Sequence, residues 1–334
     1  MSGIVEIAKR AGVSPATVSR ALRGMHHVNE RTRKKIIEAA QELDYPIRPD
    51  LLPRSEGGKT NTIGVIAPFI SRWYFSQAIA GAEQALREAG MDLLLYNFAQ
   101  VEARQRVFQQ KKLVGKVDGL IVISLPPTEK EFEQILGLGI PVSLLGITDA
   151  RCSSVTVDDV KGASVAVQHL IEMGHKDIAL MAGQHELAFN FNVANQRKDG
   201  FLTTLEANGL EFNPDYLLTA DFDSHTAELA MDEFLGRKKL PTAIFCESDE
   251  MAFGVLKSLR KKGLRVPEDI SVIGYDDHDF AETLSLTTIA QPVQFLGQLA
   301  ASQIMAKIEK PETASAQMRV PTSLVVRNTV ANIA

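Results

Sequence analysis

The 334-residue chain is 45% hydrophobic and 23% charged, an ordinary globular composition that excludes a collagenous or disordered protein. Its length exceeds one small core and implies two to three domains. The net charge of −5 is unevenly spread: residues 1–60 carry 11 Lys+Arg and 7 Asp+Glu, a net of +4, leaving 25 and 34, a net of −9, in the remainder. A basic head on an acidic body confines any polyanion-binding surface to the N-terminal stretch.

In chain order, Ile4, Val5, Ile7, Ala8 and Ala11 form an apolar stripe at helical spacing. Gly12 ends that helix in a left-handed turn, where a Cβ would be penalised. Val13 plugs the turn, Ser14 caps the next helix, and Pro15 suits its first position, where no donor is needed. Val18, Ala21 and Leu22 share the inward face, which leaves Ala16, Thr17, Ser19, Arg20 and Arg23 wholly or partly outward. Gly24 closes the helix. Asn29 caps a third one that runs to about Leu43, with Ile36, Ile37, Ala40 and Leu43 inside. Hydroxyls and a helix N-terminus bind phosphate oxygens, and an exposed Arg can take guanine O6 and N7 together. Spacing alone leaves a plain three-helix bundle with a solvated basic face equally open.

AGVSPATVSRAL followed by HVNERTRKKI resembles the N-terminus of the lactose repressor (LacI/GalR) family of bacterial transcription factors. Glu6, Ile7, Ala8, Ala11, Gly12, Val13, Ser14, Thr17, Val18, Ser19, Arg20 and Leu22 all match the family pattern. The resemblance implies a helix-turn-helix entering the DNA major groove. Base contacts map to Pro15, Ala16 and Arg20, and phosphate contacts to Ser14, Thr17, Ser19, His27, Asn29 and Thr32. Pro15 and Ala16 offer no side-chain hydrogen bond, so direct readout rests on Arg20.

Pro46, Pro49 and Pro53, then Gly57 and Gly58, mark a linker over 49–61 between a DNA-binding domain at 1–48 and a body at 62–334. The family's hinge helix, A-R-x-L, is matched poorly. Pro53 stands before Arg54 where Ala is usual, and Glu56 replaces the Leu that wedges into the minor groove. An extended linker is favoured over a helix. Arg48 and Arg54 are expected on phosphate or in the minor groove, and Leu51 or Leu52 is the substitute wedge.

From Thr62 the pattern alternates. TIGVIA, DLLLYN, GLIVI and IPVSLLG read as buried strands, with helices over 73–89, 102–114 and 129–138. After SSVTVDD a second series begins, with helices over 159–173, 196–208, 226–236 and 249–262 between DIALMAG, TAIFC and ISVIGYD. This is a doubly wound α/β body long enough for two lobes. Ligands sit beyond the carboxyl ends of such strands, so Ser124, Gly146, Ile147, Ser248, Asp249, Tyr275, Asp276 and Asp277 are the candidates. A post-strand Asp serves equally as a helix cap or a turn.

HLIEMGHKDIALMAG, QRKDGF, PTAIFCESDEMAFGVL, GLRVPEDISVIGYDD and LTTIAQPVQFLG extend the same family resemblance over the body. It implies a periplasmic-binding-protein-like effector domain with three crossovers: a first lobe of about 62–158 and 291–320, a second of about 159–290 and 321–334, and a ligand between them. Carried over residue by residue, the effector Arg maps to Arg197, the hydroxyl-binding Asp to Asp276, the aromatic stacker to Phe222 and the cleft Gln to Gln291. The first-lobe aromatic wall maps to Tyr74 and Phe75, with Trp73 beside it. Two departures remove polar partners: Ser248 replaces a usual Asn, and Gly146 a frequent Asp.

Cys152 and Cys246 are too few for a disulfide framework, no metal-ligand spacing occurs, and no secretory leader or membrane-spanning run is evident. The expectation is a cytoplasmic homodimer without metal or cofactor, bound to a pseudopalindromic double-stranded operator and governed by a small effector, a sugar first. Control by a phosphocarrier protein or by a nucleoside or purine is the alternative, and a solute-binding protein the remote one. Enzyme motifs (a P-loop, a G-x-G-x-x-G after a strand, a G-x-S-x-G elbow) are absent.

Overall fold

The computed structural model describes residues 3–22, 28–43, 45, 59–98, 113, 115–184, 192–236 and 239–334. The chain divides between Thr60 and Asn61 into two compact units. Arg23, Gly24, His27, Arg54, the expected linker up to residue 58 and nearly all of the helix expected over 102–114 lie outside the described residues.

The first unit holds α1 (Gly3–Ala11), α2 (Pro15–Leu22) and α3 (Glu30–Glu42). Ile7, Ala8, Val18, Ala21, Val28, Ile36, Ala39 and Ala40 form its core, with Ile4, Ala11, Val13 and Leu22 packed against it. Val5, expected in the stripe, is 55% exposed. Positions 4, 7, 8 and 11 share one face at 100° per residue, and position 5 falls off it. Gly12 turns with φ +66° and Val13 N–H reaches back to the Ala8 carbonyl at 3.0 Å. Ser14 Oγ accepts from Thr17 N–H at 3.1 Å, and Asn29 Oδ1 from Thr32 N–H at 2.8 Å. Each such cap stabilises its helix by about 0.5–2 kcal/mol.

The second unit has two six-stranded sheets. In the first lobe β1 (Thr62–Ala67), β2 (Asp92–Asn97), β3 (Gly119–Ile123), β4 (Val142–Leu145), β5 (Ser153–Thr156) and β11 (Gln317–Arg319) take the order β11-β5-β4-β3-β1-β2, all parallel. In the second, β6 (Ile178–Gly183), β7 (Leu217–Ala220), β8 (Ala243–Cys246), β9 (Ser271–Asp276), β10 (Thr287–Ala290) and β12 (Ser323–Val325) take the order β12-β10-β9-β8-β6-β7, with only β12 antiparallel. Flanking helices are α4 (Trp73–Glu88), α5 (Glu129–Leu136), α6 (Asp159–Glu172), α7 (Val193–Ala207), α8 (Ser224–Phe234), α9 (Asp249–Lys261), α10 (Asp279–Thr283) and α11 (Val293–Glu309). The strands β1, β3, β4, β6, β8 and β9 are buried almost throughout, as sheets covered on both faces require.

Helix α8 starts two residues before the expected 226, because Asp223 Oδ1 accepts from both His225 and Thr226 N–H at 2.8 and 2.9 Å. The five-residue α10 was not expected, since so short a helix has no periodicity to read. Chain order and space part company at α11, which follows β10 of the second lobe yet packs into the core of the first. Its seat depends on glycine. A Cβ on Gly81 of α4 would fall 1.9 Å from the Gln294 carbonyl oxygen, and one on Gly297 of α11 would fall 2.1 Å from that of Ala78. Gly81→Ala therefore has to push two backbones apart and is expected to destabilise the unit by about 1–3 kcal/mol, read as a lower denaturant midpoint at unchanged slope.

Candidate functional site

On the first unit, Ser14, Pro15, Ala16, Arg20 and Asn29 are exposed, and Thr17, Ser19 and Thr32 half-buried. They lie on or beside α2, whose N-terminal amides are capped by Ser14, itself hydrogen-bonded to Thr17 Oγ1 at 2.8 Å. No described residue holds the Arg20 side chain. Exposed hydroxyls, a helix N-terminus and a free guanidinium form an anion-binding face with one group able to read a base edge. Of the residues expected there, Arg23, His27 and Arg54 lie outside the described residues.

On the second unit, unusual backbone marks the strand ends. Among the described residues, four of the six non-glycine positions with positive φ stand there: Ser124 (45°) after β3, Phe222 (54°) after β7, Asp276 (131°) closing β9, and Asp277 (57°). Such conformations persist only where neighbours over-determine them, and they concentrate at functional sites.

The centre is Arg197 of α7, 5% exposed. Its Nε donates to Asp159 Oδ1 at 2.9 Å and its Nη1 to the Glu247 carbonyl oxygen. Nη1 also lies 3.7 Å from Asp276 Oδ1, and the guanidinium carbon sits 3.6 Å from the Tyr275 ring centroid. Burial opposes the charge, but Asp159, Tyr275 and Asp276 hold it fully protonated. Arg197 was expected to bind ligand hydroxyls; the structure gives it a bracing role as well. Asp276 Oδ1 accepts from Gln291 Nε2 at 2.6 Å. Burial raises the proton affinity of Asp276 against the pull of Arg197 and Gln291.

From the first lobe, Tyr74 OH lies 3.4 Å from Ser124 Oγ. A Cβ on Gly146 would meet these two oxygens at 3.1 and 2.3 Å, so the bare glycine makes room for both. Burial pushes the Tyr74 phenol up to about 12, against the hydrogen bond with Ser124. Phe222 is half-buried, its ring over Gly183, where a Cβ would fall 1.9 Å away.

Four residues have partners that the sequence reading did not give them. Phe75 is 8% exposed and packs edge-on to Phe69 and Tyr74 in the core, with no free face. Ser248 is 4% exposed and its Oγ accepts from Met251 N–H at 3.2 Å as the cap of α9. Trp73 stacks on His278 of the other lobe, with ring centroids 5.1 Å apart. Asp249, read as a cap or ligand, instead braces the floor. Its Oδ1 accepts from Thr288 Oγ1 at 2.7 Å and its Oδ2 from His278 N–H at 2.8 Å. Asp159, Glu247 and His278 were not among the expected site residues. The double Asp after β5 was the available signal for the first; the other two carried none.

Glu247 is fully buried. One carboxyl oxygen accepts from Gly183 N–H at 2.8 Å and the other has no partner among the described residues. Burial pushes its carboxyl up to about 8. Among the described residues no group of His, Cys, Asp and Glu could hold a metal ion, and no helix is long and apolar enough to cross a membrane.

Residues 3–47 match the model of bacterial regulatory proteins, lacI family, and residues 167–330 that of a periplasmic binding protein-like domain. The chain is 34% identical over 337 residues to the HTH-type transcriptional repressor PurR of Vibrio campbellii, covering 99% of each. It is 33% identical over 340 residues to the probable HTH-type transcriptional repressor ExuR of Bacillus subtilis, covering 99% of this chain and 98% of that one. Among solved structures it is similar to the transcriptional regulator CelR–cellobiose complex, with TM-score 0.72 and 28% identity over 98% of this chain and 100% of that one. It is also similar to the lac repressor dimer bound to operator and the anti-inducer ONPF, with TM-score 0.73 and 28% identity over 97% and 98%.

The raised carboxyls predict a pH profile. The native state keeps protons on Glu247, Asp249 and Glu250 that the unfolded chain releases above the ordinary carboxylate range. Stability therefore falls as pH rises from about 4.5 towards 8. Glu247→Gln keeps an acceptor for Gly183 and is expected to flatten that slope, gaining at least about 1 kcal/mol at pH 8, the equivalent of one pKa unit. Denaturation at pH 6 and pH 8 measures it.

Proposed function

The chain belongs to the lacI family of bacterial regulatory proteins, and from this premise we propose how it reads DNA and what controls it. It is a DNA-binding transcriptional regulator and not an enzyme, as its full-length repressor relatives are. Helix α2 enters the major groove. Ser14, Thr17, Ser19, His27, Asn29 and Thr32 position it on phosphates, with Arg23 and Arg54 beside them, and Arg20 reads a base pair. Two copies bind a pseudopalindrome one DNA turn apart. Exposed Phe280 on α10 and Leu284 just after it, with Ile70 before α4, supply apolar surface for that homodimer.

The effector is a small polyhydroxylated molecule, a sugar first, held between the lobes. The observation that carries this is the clustering of Asp276 with Gln291 and Arg197 on the second lobe and of Tyr74 with Ser124 on the first, at strand ends held in strained backbone, with Trp73 beside Tyr74 stacked on His278 two residues after Asp276. Carboxylate, amide and phenol groups hydrogen-bond hydroxyls, and the Phe222 ring offers an apolar face. Neighbours solved with cellobiose and with ribose support a sugar. The aromatic surfaces of Phe222 and Tyr74 favour a nucleoside as the second reading. Ligand binding shifts the lobe arrangement; a near-complete switch takes a differential affinity of about 10⁴.

Two measurements test this. Arg20→Ala should lose roughly 1–3 kcal/mol of discrimination at one operator base pair, and an unchanged preference in a binding-site scan would remove Arg20 from readout. A thermal-shift screen against sugars, sugar phosphates and nucleosides should find a stabilising ligand whose effect Asp276→Ala abolishes. A hit indifferent to that substitution would place the ligand elsewhere.

A further inference from the structure

The two segments that line the cleft from opposite lobes end in touching rings. Trp73 directly precedes Tyr74 on the first lobe, and His278 lies two residues after Asp276 on the second. Their rings stack with centroids 5.1 Å apart and planes 29° apart. His278 also stacks on Phe280, at 5.4 Å and 21°, and meets Phe253 edge-on at 5.1 Å and 88°. Its backbone is equally constrained: its N–H donates to buried Asp249, which Thr288 holds in turn. Its Nδ1 accepts from Phe280 N–H at 3.0 Å, which fixes the ring's orientation. One turn further along α4, Gln77 Nε2 comes within 3.5 Å of Asp279 Oδ2, and Gln77 Oε1 accepts from Gln294 Nε2 at 2.5 Å. The second-lobe ring is thus held on several sides, and the first-lobe ring is carried on the first residue of α4.

We propose that the Trp73–His278 stack is the closure lock of the cleft, a positioning pair that holds Tyr74 opposite Asp276 and sets the balance between closed and open lobes. The proposal rests on the cleft being the effector site. The geometry argues for a lock rather than core filling. Trp73 is half-buried, its indole N–H has no hydrogen-bond partner among the described residues, and its face contacts the opposite lobe. A stacked aromatic pair is strong enough to shift a two-state equilibrium by roughly three- to tenfold, and weak enough to be reversed by a ligand. The lock also lies at the sensing end of both segments, so a ligand that displaces Tyr74 or Asp276 must move one ring or the other.

The test needs no effector. Nitroxides on Lys130→Cys of α5 and Glu206→Cys of α7, both exposed, report the interlobe distance in the full-length chain, diluted with unlabelled protein; the natural cysteines are buried. The wild type should give one narrow distance. His278→Ala should add a longer population, raising the open fraction three- to tenfold, and His278→Phe, which retains a stacking ring, should restore the narrow distribution. Trp73→Ala, altered on the other lobe, should open the cleft to the same degree, and carries the test should His278→Ala fail to fold. The single tryptophan gives a second signal: His278→Ala should change Trp73 emission when the cleft is free of ligand. A wild-type distance distribution in both alanine variants, opening in His278→Phe equal to that in His278→Ala, or unaltered emission in His278→Ala would overturn the lock. Each result leaves the effector reading intact, because that reading stands or falls on the ligand screen.

Discussion

A guanidinium cut off from water must be matched or it unfolds its surroundings, and the second lobe is organised around this demand. Arg197 draws Asp159 from the first turn of α6, the Glu247 carbonyl from the end of β8, and Asp276 and the Tyr275 ring from β9. These groups come from several elements, and one cation registers their ends against each other. The remaining cleft geometry follows from that registration. Asp276 in turn takes Gln291 as its partner, and Gln291 lies at the point where the chain leaves the second lobe. Small residues admit the arrangement. A Cβ on Gly162 would strike the Tyr275 hydroxyl, and one on Gly274 would fall 2.0 Å from the Asp249 carboxylate.

The carboxyl-rich floor has a cost that explains its chemistry. The carboxyls of Glu247 and Asp249 are fully buried and form no ion pair among the described residues, so burial drives both towards the neutral form. Strain is stored in the same place, at Ser124, Phe222, Asp276 and Asp277. A region that combines neutralised carboxyls, strained backbone and two lobes joined by a few crossovers suits a two-state element that a weak ligand can bias. Helix α11 makes the crossovers consequential. It follows β10 in sequence but is seated by Gly81 and Gly297 in the other lobe, so the two lobes are joined there through a tightly packed helix.

Signals that act within a few residues are legible in the sequence itself. Gly12, Ser14, Pro15 and Asn29 each act on their own turn or cap, and the first unit forms around them as the spacing indicates. The alternating apolar runs likewise declare two largely parallel sheets. Local reading fails where a neighbour in space makes the choice. Val5 shares composition with the stripe but not its angle. Ser248 and Phe75 have side chains suited to ligand contact, yet a helix cap and a core position claim them. Asp159 and Glu247 are 38 and 50 residues from Arg197, and nothing local in either tells that a buried guanidinium will meet it.

By itself the sequence determined the class of most elements and a two-lobed α/β body, because hydrophobic period, caps and turn residues act over a few residues and are written consecutively; the DNA-reading head and the family came from the resemblance of its motifs, not from spacing. Tertiary structure alone decided which polar groups share the cleft, which are spent on bracing it, and that Trp73 meets His278 across it. Those outcomes depend on distances between residues tens to hundreds of positions apart, and only the packed fold brings such residues together.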